Sequence, residues 1–374
     1  MKTRIFVLFF LLLSAFTFSQ KKEGTEQITY FIKYNISNQK IIDSIFLKNR
    51  KNERLLRLLI KKSKENSYLE GEFYGSNALG RYYRDLSLFD KSIYEYKNAL
   101  LVSRKKKDTI SEIKTLNAIG SVYRRQDDIR NALNYHQEAL DKATTIKNPK
   151  TTTKKSISIA QNSIGNIYLS LKQYELALKE FKKAMVFQKQ LNHTRGIAIN
   201  YKCFGDAYEG LGDLDEALKN FHKSLNYNTQ INSTIGKVIC GYNIANVLIK
   251  QKKYNQALKT VDTILQLAIQ EKDMFYLSST YNTLGLAQLH SNKLQSAKKS
   301  LTAALEIAKK FNIHSIIVKA NENLSFLFAK REDFKKAYSY YRKSKEENIK
   351  TLNDKNLMYV GELITKYDRE RSEN

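Results

Sequence analysis

The chain has 374 residues, with 64 lysines and arginines against 37 aspartates and glutamates, a formal charge of +27. That charge invites nucleic acid or an anionic surface as partner. However, lysine far outnumbers arginine and comes with abundant Asn, Ile and Tyr, so the excess reads as a solvated outer face and argues against nucleic acid.

The first element, "MKTRIFVLFFLLLSAFTFSQ", carries Lys2 and Arg4, an apolar run from Ile5 to Leu13, and small residues Thr17 and Ser19 before Gln20. This is the pattern of a secretory signal peptide over residues 1–19, which predicts an exported, periplasmic chain beginning at Gln20. An uncleaved N-terminal membrane anchor is the alternative, although the run is short for a span. No cysteine follows it, which excludes lipid attachment of the lipoprotein type, and no second hydrophobic run exists. Residues 20–66 read as a linker and a degenerate capping pair of helices, with "IIDSIF" and "LLRLLI" at helical spacing.

Residues 67–346 repeat. An aliphatic residue followed by a small one recurs as Leu79-Gly80, Ile119-Gly120, Ile164-Gly165, Phe204-Gly205, Ile244-Ala245, Leu284-Gly285 and Leu324-Ser325. Twelve residues on stands a small residue, Ser92, Ala132, Ala177, Ala217, Ala257, Ala297 or Ala337. Four beyond that comes Tyr96, His136, Phe181, Phe221, Val261, Leu301 or Tyr341. Seven copies in one phase mark a repeat architecture, in which neighbouring repeats bury the core and no domain boundary is needed. A glycine inside a helix costs about 1 kcal/mol relative to alanine. Its recurrence predicts a packing device: two small residues facing each other where the helices of a pair cross. The single longer interval, from Gly120 to Gly165, holds "KNPKTTTKK" and the only proline, Pro149, and reads as a surface loop. Asp108, Asn192, Asn232, Asp273 and Asn312, ahead of the glycine positions, are candidate helix caps that would make the first helices start early and run long. Nothing alternates with the period of a strand, so the chain is expected to be all-α.

"LGRYY", "IGSVY", "IGNIY" and "FGDAY" on first helices, with "ALNYH", "ALKEF" and "ALKNF" on second helices, resemble the tetratricopeptide repeat, here extended from the family's 34 residues to about 40. The resemblance implies a right-handed α-solenoid of about seven helix-turn-helix repeats plus capping helices. No tryptophan occurs, and the family's proline after the second helix is missing. With the glycine numbered eighth in its repeat, positions 4, 7, 8 and 11 form the buried stripe and positions 2, 5, 9 and 12 should line the concave surface. Asparagine, a mediocre helix former, recurs there as Asn77, Asn117, Asn162, Asn166, Asn246 and Asn282. In peptide-binding members of the family such asparagines hold a ligand backbone; helix-to-helix bonding or plain compositional bias are the other readings. Arg81, Arg84, Lys114, Arg124 and Arg125 make one end of this groove basic, while Ile239, Leu286, Leu289 and Phe326 make the other apolar. That suits an acidic or amphipathic protein or peptide partner.

Residues 347–374 read as a capping or coiled-coil helix, with Leu357, Val360, Ile364 and Tyr367 as a short heptad seam that would cap the array or pair two chains as a homodimer. "ELITKYDRERSEN" resembles the junction that links the exported sensor region of tetratricopeptide signalling proteins of Bacteroidota to an output domain, and no such domain follows here. Cys203 and Cys240 stand at non-equivalent positions of adjacent repeats and read as two isolated buried thiols. His136, His193, His222, His290 and His314 lack metal-ligand spacing, and no phosphate loop or nucleophile elbow is present. The sequence therefore predicts no catalytic residue, metal or cofactor. It predicts a non-enzymatic exported scaffold, or else the input region of a signalling protein whose output domain lies elsewhere.

Overall fold

The computed structural model describes residues 23–351, together with residues 361 and 365. The leader, residues 1–19, and the seam residues Leu357, Val360, Ile364 and Tyr367 lie outside the described residues. Every regular element among the described residues is helical. A helix over residues 23–33, α1, is followed by α2 (Gln39–Ile45), a 3-10 turn (Leu47–Asn49) and α3 (Glu53–Glu65). The paired helices then run as α4 (Leu69–Asp85), α5 (Phe89–Lys105), α6 (Thr109–Arg125), α7 (Ile129–Thr144), α8 (Thr151–Ser170), α9 (Tyr174–Gln190) and α10 (Thr194–Leu211). They continue as α11 (Leu214–Gln230), α12 (Thr234–Lys250), α13 (Tyr254–Glu271), α14 (Met274–His290), α15 (Leu294–Lys310), α16 (His314–Lys330) and α17 (Phe334–Thr351).

The period of 40 is two periods of 20. The second residue of each three-residue connection is left-handed: Ser87, Lys107, Asp127, Lys172, Asn192, Asn232, Lys252, Asn292, Asn312 and Glu332 all have φ between 46° and 61°. The next N–H then bonds five residues back, as Lys253 to the Leu248 carbonyl at 2.8 Å and Asp128 to that of Tyr123 at 3.0 Å, which ties off the preceding helix in a Schellman arrangement. The last residue of the connection opens the next helix: Asp128 and Ser233 cap it through their side chains, as do Asp213 and Asp273 where the connection is two residues long. This corrects two expectations. Asp108 and Asp273 do cap, but Asn192, Asn232 and Asn312 stand one place earlier, in the left-handed position that asparagine tolerates. The extra length is also shared: α4, α5, α6, α9, α11, α12, α14, α15 and α16 are each 17 residues, so second helices are lengthened as much as first ones. The loop with Pro149 leads into α8, at 20 residues the longest helix among the described residues.

The chain divides into two compact units, one of the described residues up to 84 plus 90–115, the other of residues 85–89 and those from 116 onward. In the first, Gly80 lies under the Tyr96 ring and Ser92 Oγ donates to the Gly80 carbonyl at 2.7 Å. Phe46 meets Phe31 and Tyr74 at 6.0 and 6.3 Å, which docks the N-terminal helices. In the second, a Cβ added to Gly120, Gly165, Gly205 or Gly285 would fall 2.4 to 2.8 Å from His136, Phe181, Phe221 or Leu301. The glycine therefore faces the bulky residue sixteen positions on. The small residue twelve on lies at the same crossing in the two repeats where a hydrogen bond marks it, Ser92 to the Gly80 carbonyl and Ser325 Oγ to the Ala337 carbonyl at 2.8 Å, and Ala132, Ala177, Ala217, Ala257 and Ala297 are buried.

Candidate binding surface

First helices pack on first helices in the second unit, α8 on α10, α12 on α14 and α14 on α16, and their remaining faces line the inner side of the array. At position 2 of three successive repeats stand Ile159, Ile199 and Ile239; Ile159 and Ile199 are 44% and 49% exposed, and Ile239 is half-buried. A β-branched apolar side chain left in water at one register, 40 residues apart, is a ladder awaiting apolar contact.

The asparagines split by position. Asn117 is 3% exposed, and its Nδ2 donates to the Ser156 carbonyl at 3.1 Å while its Oδ1 lies 2.8 Å from His136 Nδ1. Asn162 is buried and donates to Asn200 Oδ1 at 3.0 Å; Asn200 in turn donates to the Phe181 carbonyl at 2.8 Å. Asn282, buried, accepts from Asn323 Nδ2 at 3.1 Å. At position 5, then, asparagine bridges neighbouring helices. Asn166 is half-buried and donates to the Asn162 carbonyl and toward Cys203 Sγ. Asn246 is half-buried with no hydrogen-bond partner among the described residues.

The basic residues split as well. In the first unit Arg81 and Lys114 are exposed, while Arg84 and Asn77 are half-buried. In the second, Arg125 is committed to an ion pair with Asp273 at 2.6 Å. Arg124 has no carboxylate partner among the described residues, and its Nε is buried without an acceptor. The side chain is half-buried. At the far end Leu286 is half-buried and Phe326 is 45% exposed against His290, which in turn stacks on Tyr254 at 5.2 Å.

Between these ends lie residues that the asparagine count passed over. Lys202 Nζ sits 2.5 Å from Asp206 Oδ2, and Lys250 Nζ 2.8 Å from Glu209 Oε1. Burial works against the Lys202 ammonium, but the Asp206 carboxylate together with Cys203 and Tyr242 outweighs it and the net shift is upward. Tyr242 stacks on Tyr276 at 6.5 Å, its hydroxyl raised by burial. Reading positions 5, 9 and 12 of the fourth and fifth repeats for any polar residue finds Lys202, Asp206, Glu209 and Tyr242. The two thiols are free and buried, Cys203 pushed up to about 11 by burial. Among the described residues no cluster of His, Cys, Asp or Glu is arranged to hold a metal, and no helix is long and apolar enough to cross a membrane.

A family model described as tetratricopeptide repeat matches residues 74–145, 156–230 and 237–310, more than half of the chain. No curated protein matches it. Among solved structures, a Rap protein complexed with competence and sporulation factor superposes with a TM-score of 0.62 at 18% identity, covering 88% of this chain and 98% of that one. The Rap conjugation gene regulator of the plasmid pLS20, in complex with the Phr* peptide, gives 0.65 at 16%, covering 78% and 77%. Aspartyl phosphate phosphatase F from Bacillus subtilis gives 0.57 at 16%, covering 79% and 75%. These likenesses are of fold.

Proposed function

The chain belongs to the tetratricopeptide repeat family, and from that premise we propose that it is a non-catalytic scaffold that binds a protein or peptide segment along its first helices. The observation that carries the reading is the exposed ladder of Ile159 and Ile199, continued by the half-buried Ile239. The fold neighbours solved with a factor and with a peptide support an extended ligand. Its apolar side chains would lie on the isoleucines, its backbone amides within reach of Asn166 and Asn246, and an acidic group near Arg124. We further propose that the chain is exported, on the strength of residues 1–19. The alternative, an input region of a signalling protein, draws on the tail "ELITKYDRERSEN".

The experiment is a pair of captures from periplasmic extract, one with the chain as it stands and one with Ile159→Glu/Ile199→Glu. Both changes are at exposed positions, so melting should be unchanged while a captured partner is lost. A partner retained at full affinity by the variant would remove this face from the reading. Recovery of secreted chain beginning at Gln20 checks export separately.

A further inference from the structure

Two turns of the second unit reach far along the chain. Ser87 Oγ accepts from the backbone N–H of Phe275 at 3.0 Å, and Asp127 Oδ2 accepts from that of Ser315 at 2.8 Å, each across 188 residues. Both acceptors occupy the left-handed place of the turn inside a repeat, and both donors lie in the first turn of a first helix, α14 or α16. The two contacts thus share one register, a turn residue meeting a helix start 188 residues on.

Between the two contacts lies the Arg125–Asp273 pair, with Arg125 only 8% exposed. The guanidinium is boxed by the rings of Phe89, Phe275 and Tyr276 at 5.3, 4.9 and 5.1 Å. The helix ends explain the arrangement. α16 opens after Ile313, which has no side-chain acceptor, so its first N–H groups lack a cap of their own, and Asp127 supplies one from the distant turn. At α14, Asp273 accepts from Phe275 and Tyr276 and holds Arg125 at the same time.

We propose that these contacts form a clasp, which closes the array of the second unit on itself and opens as one element while the helical hairpins stay folded. Hairpins in a solenoid are held by their neighbours, so parting residues 188 apart removes no neighbour interface. Every clasp contact is made by turns and helix ends through hydrogen bonds, an ion pair and cation-ring stacking, with none of the glycine-into-ring packing that joins a hairpin. Closed, it fixes where Arg125 and the turn after it stand against the starts of α14 and α16 whatever the inner face holds, so the proposal is independent of any ligand.

The test uses the whole chain without ligand. Arg125→Met/Asp273→Leu/Asp127→Ala replaces the pair by apolar residues of similar volume and removes the distant cap. Helicity by circular dichroism should be unchanged, the radius of gyration from small-angle scattering should rise, and the Ser315 amide should exchange about tenfold faster or more, with α10 and α11 still protected. An unchanged radius with Ser315 still protected overturns the clasp. Native-state exchange on the unaltered chain decides the matter if the variant loses helicity. Phe275 and Ser315 should then open at lower denaturant than the α10 and α11 amides, and exchange only with global unfolding overturns the proposal.

Discussion

The crossing of α10 over α11 and the contact of Arg125 with Asp273 hold the same unit together by opposite means. At the crossing, Gly205 yields its side-chain space to Phe221 sixteen residues on, Ala217 is buried, and a buried hydrogen bond, Ser224 Oγ to the Ala198 carbonyl at 2.7 Å, accompanies the apolar packing. At the clasp, two charges 148 residues apart are taken out of water and matched to each other, to rings and to helix N-termini. The crossing gains from shape and tolerates no extra volume. The clasp gains from pairing and tolerates no missing partner.

Removing one side of each brings out the difference. Arg125→Ala leaves the Asp273 carboxylate buried without its cation and should cost about 3 to 5 kcal/mol, whereas Arg125→Met with Asp273→Leu should be near neutral. The double variant also loses the α14 cap that Asp273 provides, which adds about 1 kcal/mol to its otherwise near-neutral balance. Denaturant midpoints of the two variants measure this, and a loss below about 1 kcal/mol for Arg125→Ala would mean that the carboxylate finds water. Gly205→Leu drives a side chain into the Phe221 ring and should cost about 3 kcal/mol. It should leave α14 to α17 helical, since their neighbours are intact. A melting curve like that of the unaltered chain would show that the ring can move aside.

Acid should push the two regions in opposite directions. Burial holds the His136 imidazole at the α6–α7 crossing down to about 3. Its folded value is depressed, so between pH 6.5 and about 3 the unfolded chain takes a proton that the folded chain refuses. Stability falls as pH falls, by about 2 kcal/mol on reaching pH 5. His136→Phe, the ring used at Phe181 and Phe221, should abolish that part of the loss. At the clasp, burial raises the Asp127 and Asp273 carboxyls above 3.8, against the pull of Ser315 and Arg125 respectively. Their contribution is fully present below 3.8 and is lost as pH rises through the folded values. Asp127→Asn keeps an acceptor for Ser315, and it should match or exceed the parent's melting point at pH 7 while losing that pH dependence. Melting at pH 7, 5 and 4 separates the two responses by sign.

The crossing was legible in the sequence and the clasp was not. A glycine with a ring sixteen residues later, repeated in phase, announces both the hairpin and its partner, and the all-α array follows from it. The same period misled at Asn192, where a residue suited to capping is equally suited to the left-handed turn just before the cap. Arg125 read as part of a basic groove because it follows Arg124, the twelfth position of its repeat, and no local pattern names a carboxylate 148 residues away. The groove was half legible. Repeat numbering gives the inner face, but whether an asparagine there is spent on a neighbouring helix depends on what that helix offers, as with Ser156 for Asn117 and Asn200 for Asn162.

The smallest effects decide that last distinction. Asn117→Ala removes the donor to the Ser156 carbonyl and the partner of His136 Nδ1, two buried groups whose loss of pairing costs about 1 to 3 kcal/mol each. Alanine's better helix propensity returns only about 0.6 kcal/mol, so a net loss of at least about 1 kcal/mol is expected. Asn246→Ala, at a half-buried position without a partner, should leave melting equal or slightly raised, because only the propensity term remains. If the inner face holds a ligand backbone, the ranking inverts in binding. Asn246→Ala should weaken a captured partner, and Asn117→Ala should leave its affinity intact wherever the protein is folded. Equal melting losses in the two variants would make Asn246 another strut between helices, and the ligand's amides would then have to be met by Asn166 or by the Lys202–Asp206 pair.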